Sequence, residues 1–178
     1  NASSDDYECP TMVSDDKHLS CGQSRFGCWT CTVVKEDSSL TAQVENGAKW
    51  LEPLLDLRTS IYDERNRSEN RETTRRNGQI AVTADGQNQG NYTIEYRGEL
   101  LKQILETQKQ IQQFDPKIEL IKNSELIAIQ VVWRRDLAMP NKGYKEVTTY
   151  KTVSDIYNEV YNKKLDMKVL DEKMKKEI

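Results

Sequence analysis

All four cysteines of this 178-residue chain fall between positions 9 and 31, in the spacing C-x11-C-x6-C-x2-C formed by Cys9, Cys21, Cys28 and Cys31. The closing Cys28-Trp29-Thr30-Cys31 grip lets two neighbouring thiolates face one ion or cluster. Gly22 and Gly27 stand beside the second and third ligands, where a chain wrapped around an inorganic centre must turn tightly. Two disulfides would also account for four cysteines. The Lys-, Arg- and Glu-rich remainder, with no apolar signal segment in the sequence, argues against them. Buried unpaired thiols would have no reason to cluster in one segment. A four-thiolate site remains, and ligand number alone leaves zinc and a 4Fe-4S cluster equally open. Trp29, between two ligands, serves either to shield sulfur from water or to fill a core.

A second chemistry-bearing stretch runs from Arg65 to Gly78. It holds five arginines, Arg65, Arg67, Arg71, Arg75 and Arg76, with no lysine and no apolar residue. Guanidinium forks match phosphate oxygens better than ammonium groups do, so DNA backbone or nucleotide phosphate is the candidate ligand. The competing reading is a solvated, charged linker. Outside these stretches little points to catalysis. His18 is the only histidine and lies between two cysteines, where it is expected to be exposed. No serine or cysteine beyond the cluster has a base beside it in a recognisable motif. The adjacent acids Asp5-Asp6 and Asp15-Asp16 belong in polar loops, where they stay ionised. Catalytic residues are therefore left unassigned.

The run Cys21-Gly22-Gln23-Ser24-Arg25-Phe26-Gly27-Cys28-Trp29-Thr30-Cys31-Thr32-Val33-Val34 resembles the cysteine motif of the DndC family of DNA phosphorothioation proteins, members of the phosphoadenosine-phosphosulfate-reductase-like (ATP pyrophosphatase) group. The likeness continues more weakly through Asn46 to Leu55, through Arg75-Arg76-Asn77-Gly78 and into the stretch after Tyr92. It implies a 4Fe-4S cluster on Cys9, Cys21, Cys28 and Cys31, with zinc as the alternative. It also implies an ATP-dependent sulfurtransferase that activates a DNA backbone phosphate, releases pyrophosphate and replaces a non-bridging oxygen with sulfur. Its implied partners are DNA, a cysteine desulfurase and other phosphorothioation proteins. Members of the family carry a Ser-Gly-Gly-x-Asp-Ser phosphate loop ahead of the cysteines, and no such run occurs here. The chain is accordingly expected to be the C-terminal part of a longer protein. ATP would be used only by the full-length protein, through its own N-terminal ATP pyrophosphatase domain. The alternative is a non-catalytic zinc module that binds nucleic acid or docks a partner.

The elements that must position these residues are read as mainly α: a cluster-binding segment over 1–36, then a helical domain over 37–178 with the arginine-rich loop 65–78 and one short β-hairpin. Asp37-Ser38-Ser39 starts a helix whose stripe of Leu40, Val44, Ala48, Leu51, Leu54, Leu55, Arg58 and Ile61 is broken near Asn46-Gly47, with Pro53 in the first turn of a second helix ending near Asp63. Asp85-Gly86 signals a hairpin joining Gln79–Thr83 to Tyr92–Ile94. Helices are expected over Thr93–Gln113, from Asn123-Ser124 to Leu137, and after a Ser154 cap. Ile118–Ile121 is expected to be extended, Met139–Gly143 a loop, and the Lys-rich tail from Lys163 helical. Arg134-Arg135 suit the negative pole of a helix dipole.

An apolar fraction of 36% and a mean hydropathy of -0.81 predict modest burial per residue. No apolar run is long enough to cross a bilayer, and thiols intended for metal imply a reducing, cytoplasmic setting. The net charge of -3 is unevenly spread: acids gather near the N-terminus, arginines in 58–76 and lysines at the C-terminus.

Overall fold

The computed structural model describes residues 29–32, 35–138 and 150–166. They belong to two packing units that divide between Asp63 and Glu64. Five helices carry the described chain, and no extended strand or sheet forms among these residues.

In the first unit, α1 (Ser38–Glu45) begins where the Asp37 carboxylate accepts the Leu40 N–H at 2.9 Å, satisfying a donor that the first helical turn leaves bare. The helix ends at Asn46-Gly47, where Gly47 takes φ +106, a left-handed value that a side chain resists. A 3-10 turn (Lys49–Leu51) then leads into α2 (Glu52–Glu64), with Pro53 in its first turn as its missing N–H requires. Leu40, Val44, Leu51, Leu54, Leu57 and Ile61 form a small buried core. A seventh inward position of the same stripe is Arg58, only 1% exposed.

The second unit is built around α3 (Ile94–Ile111), α4 (Asn123–Leu137) and α5 (Val153–Tyr161). Thr93 caps α3 by accepting the Tyr96 N–H at 3.2 Å. Ile94, Leu101, Leu105, Leu126, Trp133, Val153, Ile156, Val160 and Leu165 form one core. Gln108 lies in the apolar stripe of α3 and is buried with both ends of its amide engaged. Its Oε1 accepts the Leu120 and Ile121 N–H groups at 2.8 and 3.0 Å, and its Nε2 donates to the Tyr161 hydroxyl at 2.9 Å. One side chain thus ties the α3–α4 connection to α5, which a leucine could not do.

Several local expectations are corrected. The hairpin returns through residues nearer its turn than expected: Val82 bridges Asn88, the Gln89 N–H donates to the Ala81 carbonyl at 2.7 Å, and Thr83–Gly86 forms the turn. Tyr92, expected opposite residues 79–83, instead bridges Arg71. Residues 118–121, expected to be extended, pair with no strand and bend at Leu120 and Ile121, whose N–H groups Gln108 captures. The cap of α5 is Thr152, whose hydroxyl accepts the Asp155 N–H while Asp155 accepts the Thr152 N–H; Ser154 is already inside the helix. The tail shows no helix over 163–166. Expectations for residues 1–28, 33–34, 139–149 and 167–178, including Gly22, Gly27 and His18, lie outside the described residues.

Candidate functional site

Of the four cysteines, Cys31 is described, and it is half-buried; Cys9, Cys21 and Cys28 lie outside the described residues. No group of three metal-ligating side chains occurs among the described residues. What the structure adds is the anchor of the segment's end. From α2, the buried Arg58 donates Nη2–H to the Cys31 carbonyl at 3.3 Å and Nη1–H to the Lys35 carbonyl. Its guanidinium also stands 5.8 Å from the centre of the Tyr62 ring. A planar fork can hold two backbone oxygens at once, as one ammonium cannot. Arg58 is the functional residue that sequence reasoning passed over. Its one signal was an arginine at a helical stripe position otherwise filled by leucine and isoleucine.

The five arginines of 65–78 do not converge on one site. The loop that holds them is nevertheless well tied, without an apolar residue of its own. Asn88 donates its backbone N–H to Ser68 Oγ at 2.9 Å and its Nδ2 to the Ser68 and Arg71 carbonyls at 3.2 and 3.1 Å. Arg71 is committed to this frame: Nε donates to the Arg65 carbonyl at 2.6 Å, Nη1 to the Gly90 carbonyl at 3.0 Å, and its guanidinium lies 4.5 Å from the Tyr92 ring centre. Arg67 pairs with Glu64 at 2.8 Å on the surface. Arg75 is exposed, and Arg65 is half-buried. The linker reading is therefore wrong for the backbone of this loop, which side-chain amides and one arginine hold in place.

Arg76 points elsewhere. It donates to Asp136 Oδ2 at 3.1 Å, and Arg97 of α3 donates to the same oxygen at 2.8 Å. Asp136 is buried in α4, Arg97 is 12% exposed and Arg76 58%. Two guanidiniums thus share one carboxylate oxygen at the edge of low-dielectric surroundings. Beside them opens a pocket of about 480 Å³ lined by Arg76, Asn91, Tyr92, Arg97, Ala128, Ile129, Val132 and Trp133. Asn91 Nδ2 is buried there without a hydrogen-bond partner. Arg97 and Asp136 were not singled out from sequence, since a distance of 39 residues separates them and no motif links the two.

Among the titrating groups displaced in the second unit, Tyr96 and Glu159 move far. Burial, with Tyr92 and Glu64 as further contributors, pushes the Tyr96 phenol up to about 12. Hydrogen bonds from Lys102 and Lys151, each 2.6 Å long, draw the exposed Glu159 carboxyl down to about 2. Neither lines the pocket beside Arg76. No helix among the described residues is long and apolar enough to cross a membrane. In comparisons with known proteins, no family model, no curated protein and no solved structure matches this chain.

Proposed function

We propose that this chain supplies the four-thiolate iron-sulfur region of a DndC-like sulfurtransferase acting in DNA phosphorothioation. The observation that carries this reading is the run from Cys21 to Val34, with Cys9 as the fourth ligand. Four thiols suit the group chemically. The buried Arg58 supports the reading as well, because it fastens the backbone on the C-terminal side of the last ligand to α2. A 4Fe-4S cluster, when bound, supplies electron transfer and cross-links the segment that holds it. The chain's own part is to present Cys9, Cys21, Cys28 and Cys31, to hold the Cys31 carbonyl on Arg58, and to offer Arg75 and Arg76 to phosphate. Arg65 and Arg67 belong to the same proposed contact surface, while Arg71 acts through the loop it braces. The reading further proposes DNA, a cysteine desulfurase, other phosphorothioation proteins and an ATP pyrophosphatase domain as partners, in a reducing cytoplasmic compartment.

The test is anaerobic purification followed by iron, sulfide and zinc analysis. About four irons and four sulfides per chain, lost together in Cys31→Ala, are expected. One zinc without sulfide would replace the reading with a zinc module that binds nucleic acid or docks a partner. Cystines without metal would end both.

A further inference from the structure

Asparagine followed by glycine is the pair in which a side-chain amide is most open to attack by the next backbone nitrogen, since glycine has no Cβ to hinder the approach. The chain holds two such pairs, Asn46-Gly47 and Asn77-Gly78, and both asparagines are exposed. Their hydrogen bonds differ. At Asn46 the N–H two residues on, that of Ala48, donates to the Gln43 carbonyl at 3.0 Å and closes the end of α1, with the Gly47 N–H on the Val44 carbonyl at 3.2 Å. At Asn77 the corresponding N–H, that of Gln79, donates to Asn77 Oδ1 at 3.1 Å. Asn77 Nδ2 in turn donates to Gln79 Oε1 at 3.0 Å. This amide therefore has a donor on its oxygen, where negative charge gathers on attack at Cγ, and an acceptor beside the nitrogen that would leave. The Gly78 N–H is held by the Arg75 carbonyl at 2.8 Å and must first be released. Residues 75–80 are all exposed, so that release uncovers no core and costs little.

We propose that Asn77 is a site of spontaneous deamidation, with water as the only co-reactant. The Gly78 nitrogen, having lost its proton, forms a bond to Asn77 Cγ, and the Gln79 N–H stabilises the oxygen that becomes negative. Nδ2 takes up a proton and leaves as ammonia when its bond to Cγ breaks, which closes a succinimide ring. Water then adds to one ring carbonyl and breaks one C–N bond. Opening at the side-chain carbonyl gives aspartate, and opening at the backbone carbonyl gives isoaspartate. No electrons are transferred. Isoaspartate adds one methylene to the backbone inside the turn where the Arg75 N–H meets the Gln79 carbonyl at 2.8 Å and Thr74 bridges Ile80. Either product sets a new carboxylate directly after Arg75-Arg76 in the chain. Under the phosphate reading above, that carboxylate lowers the positive charge of the arginine stretch. The modification itself stands without that reading.

Peptide mapping by mass spectrometry tests it on the full chain incubated at mildly alkaline pH, with aspartate and isoaspartate separated by chromatography. The same incubation in concentrated urea gives the rates that the two Asn-Gly pairs have without a fold around them. The ratio of the Asn77 rate to the Asn46 rate should be at least about threefold higher in the native chain than in urea, a factor that one well-placed hydrogen bond supplies. Gln79→Pro removes the N–H that faces Asn77 Oδ1 and should slow Asn77 at least about threefold in the native chain, with Asn46 unchanged. Gln79→Ala keeps that N–H and should stay within about twofold of wild type, which separates the backbone donor from the side chain. Four results overturn the proposal: no conversion at Asn77 in a native chain whose unfolded form converts, a native ratio no higher than that in urea, a Gln79→Pro rate equal to wild type, or aspartate without isoaspartate, the mark of direct hydrolysis with no ring.

Discussion

Arg58 is the residue whose replacement tests most directly how the cysteine segment is held. Its guanidinium is 1% exposed and donates to the carbonyls of Cys31 and Lys35. Hydrogen bonds from a charged donor contribute about 1.5–3 kcal/mol each, so the two together are worth roughly 3–6 kcal/mol. Dehydrating the guanidinium offsets part of that, and Arg58→Met should cost about 2–4 kcal/mol net. Among the described residues of the first unit, six apolar side chains are buried besides Arg58, and a loss of this size is large against the marginal stability of folded domains.

The readout is local. The Lys35 carbonyl held by Arg58 belongs to the Lys35–Glu36 peptide bond, which trypsin can cut only when the segment lifts from α2. When opening is fast relative to cleavage, the rate follows the open population, and 2–4 kcal/mol corresponds to an increase of about 30- to 1,000-fold. Arg58→Lys, with one point donor, should fall between wild type and Arg58→Met. If Arg58→Met leaves cleavage at Lys35 within about threefold of wild type, the guanidinium does not hold the segment and the reasoning fails.

Three further outcomes are expected. Gln108→Leu orphans two backbone N–H groups and removes a donor from the Tyr161 hydroxyl, which keeps its bond to the Leu105 carbonyl, and should destabilise the second unit by about 2–4 kcal/mol in thermal or urea unfolding; a loss below about 1 kcal/mol would refute the bridging role. Gly90→Ala would set a Cβ 2.2 Å from the Thr74 carbonyl oxygen and 2.4 Å from that of Glu72, costing about 1–3 kcal/mol or more and raising amide exchange across the loop, whereas Gly86→Ala meets open space and should cost only the left-handed backbone penalty of about 1–2 kcal/mol. The pH limits are of opposite sign. Tyr96, raised to about 12, contributes stability that is complete below the ordinary tyrosine value near 10 and is lost between 10 and 12, to be followed by tyrosinate absorbance and abolished in Tyr96→Phe. Glu159, lowered to about 2, contributes above the ordinary glutamate range and loses it as pH falls toward 2, an effect that added salt should shrink because the group is exposed.

The helix boundaries were legible because their causes are local. Asp37, Gly47, Pro53 and Thr93 act within a few residues of themselves through capping, positive φ or a missing N–H, and the apolar stripes supplied the faces to bury. The mainly α character of the chain followed from the same signals. The cap of α5 was misplaced by two residues, since Thr152 and Ser154 carry equivalent hydroxyls and only the Thr152–Asp155 spacing closes a reciprocal pair.

The roles of the arginines were not legible, because one guanidinium looks like another until distant residues are brought to it. Arg58 became a clamp by reaching a carbonyl 27 residues away, Arg71 a brace by meeting Gly90 and Tyr92, and Arg76 a pocket wall by sharing Asp136 with Arg97 across 60 residues. Residue type and spacing determined the thiolate chemistry this chain can offer and the helices that follow it. Tertiary packing alone decided which charges are buried, shared or left facing solvent, since the energy of a charge depends on the neighbours and the dielectric that folding places around it.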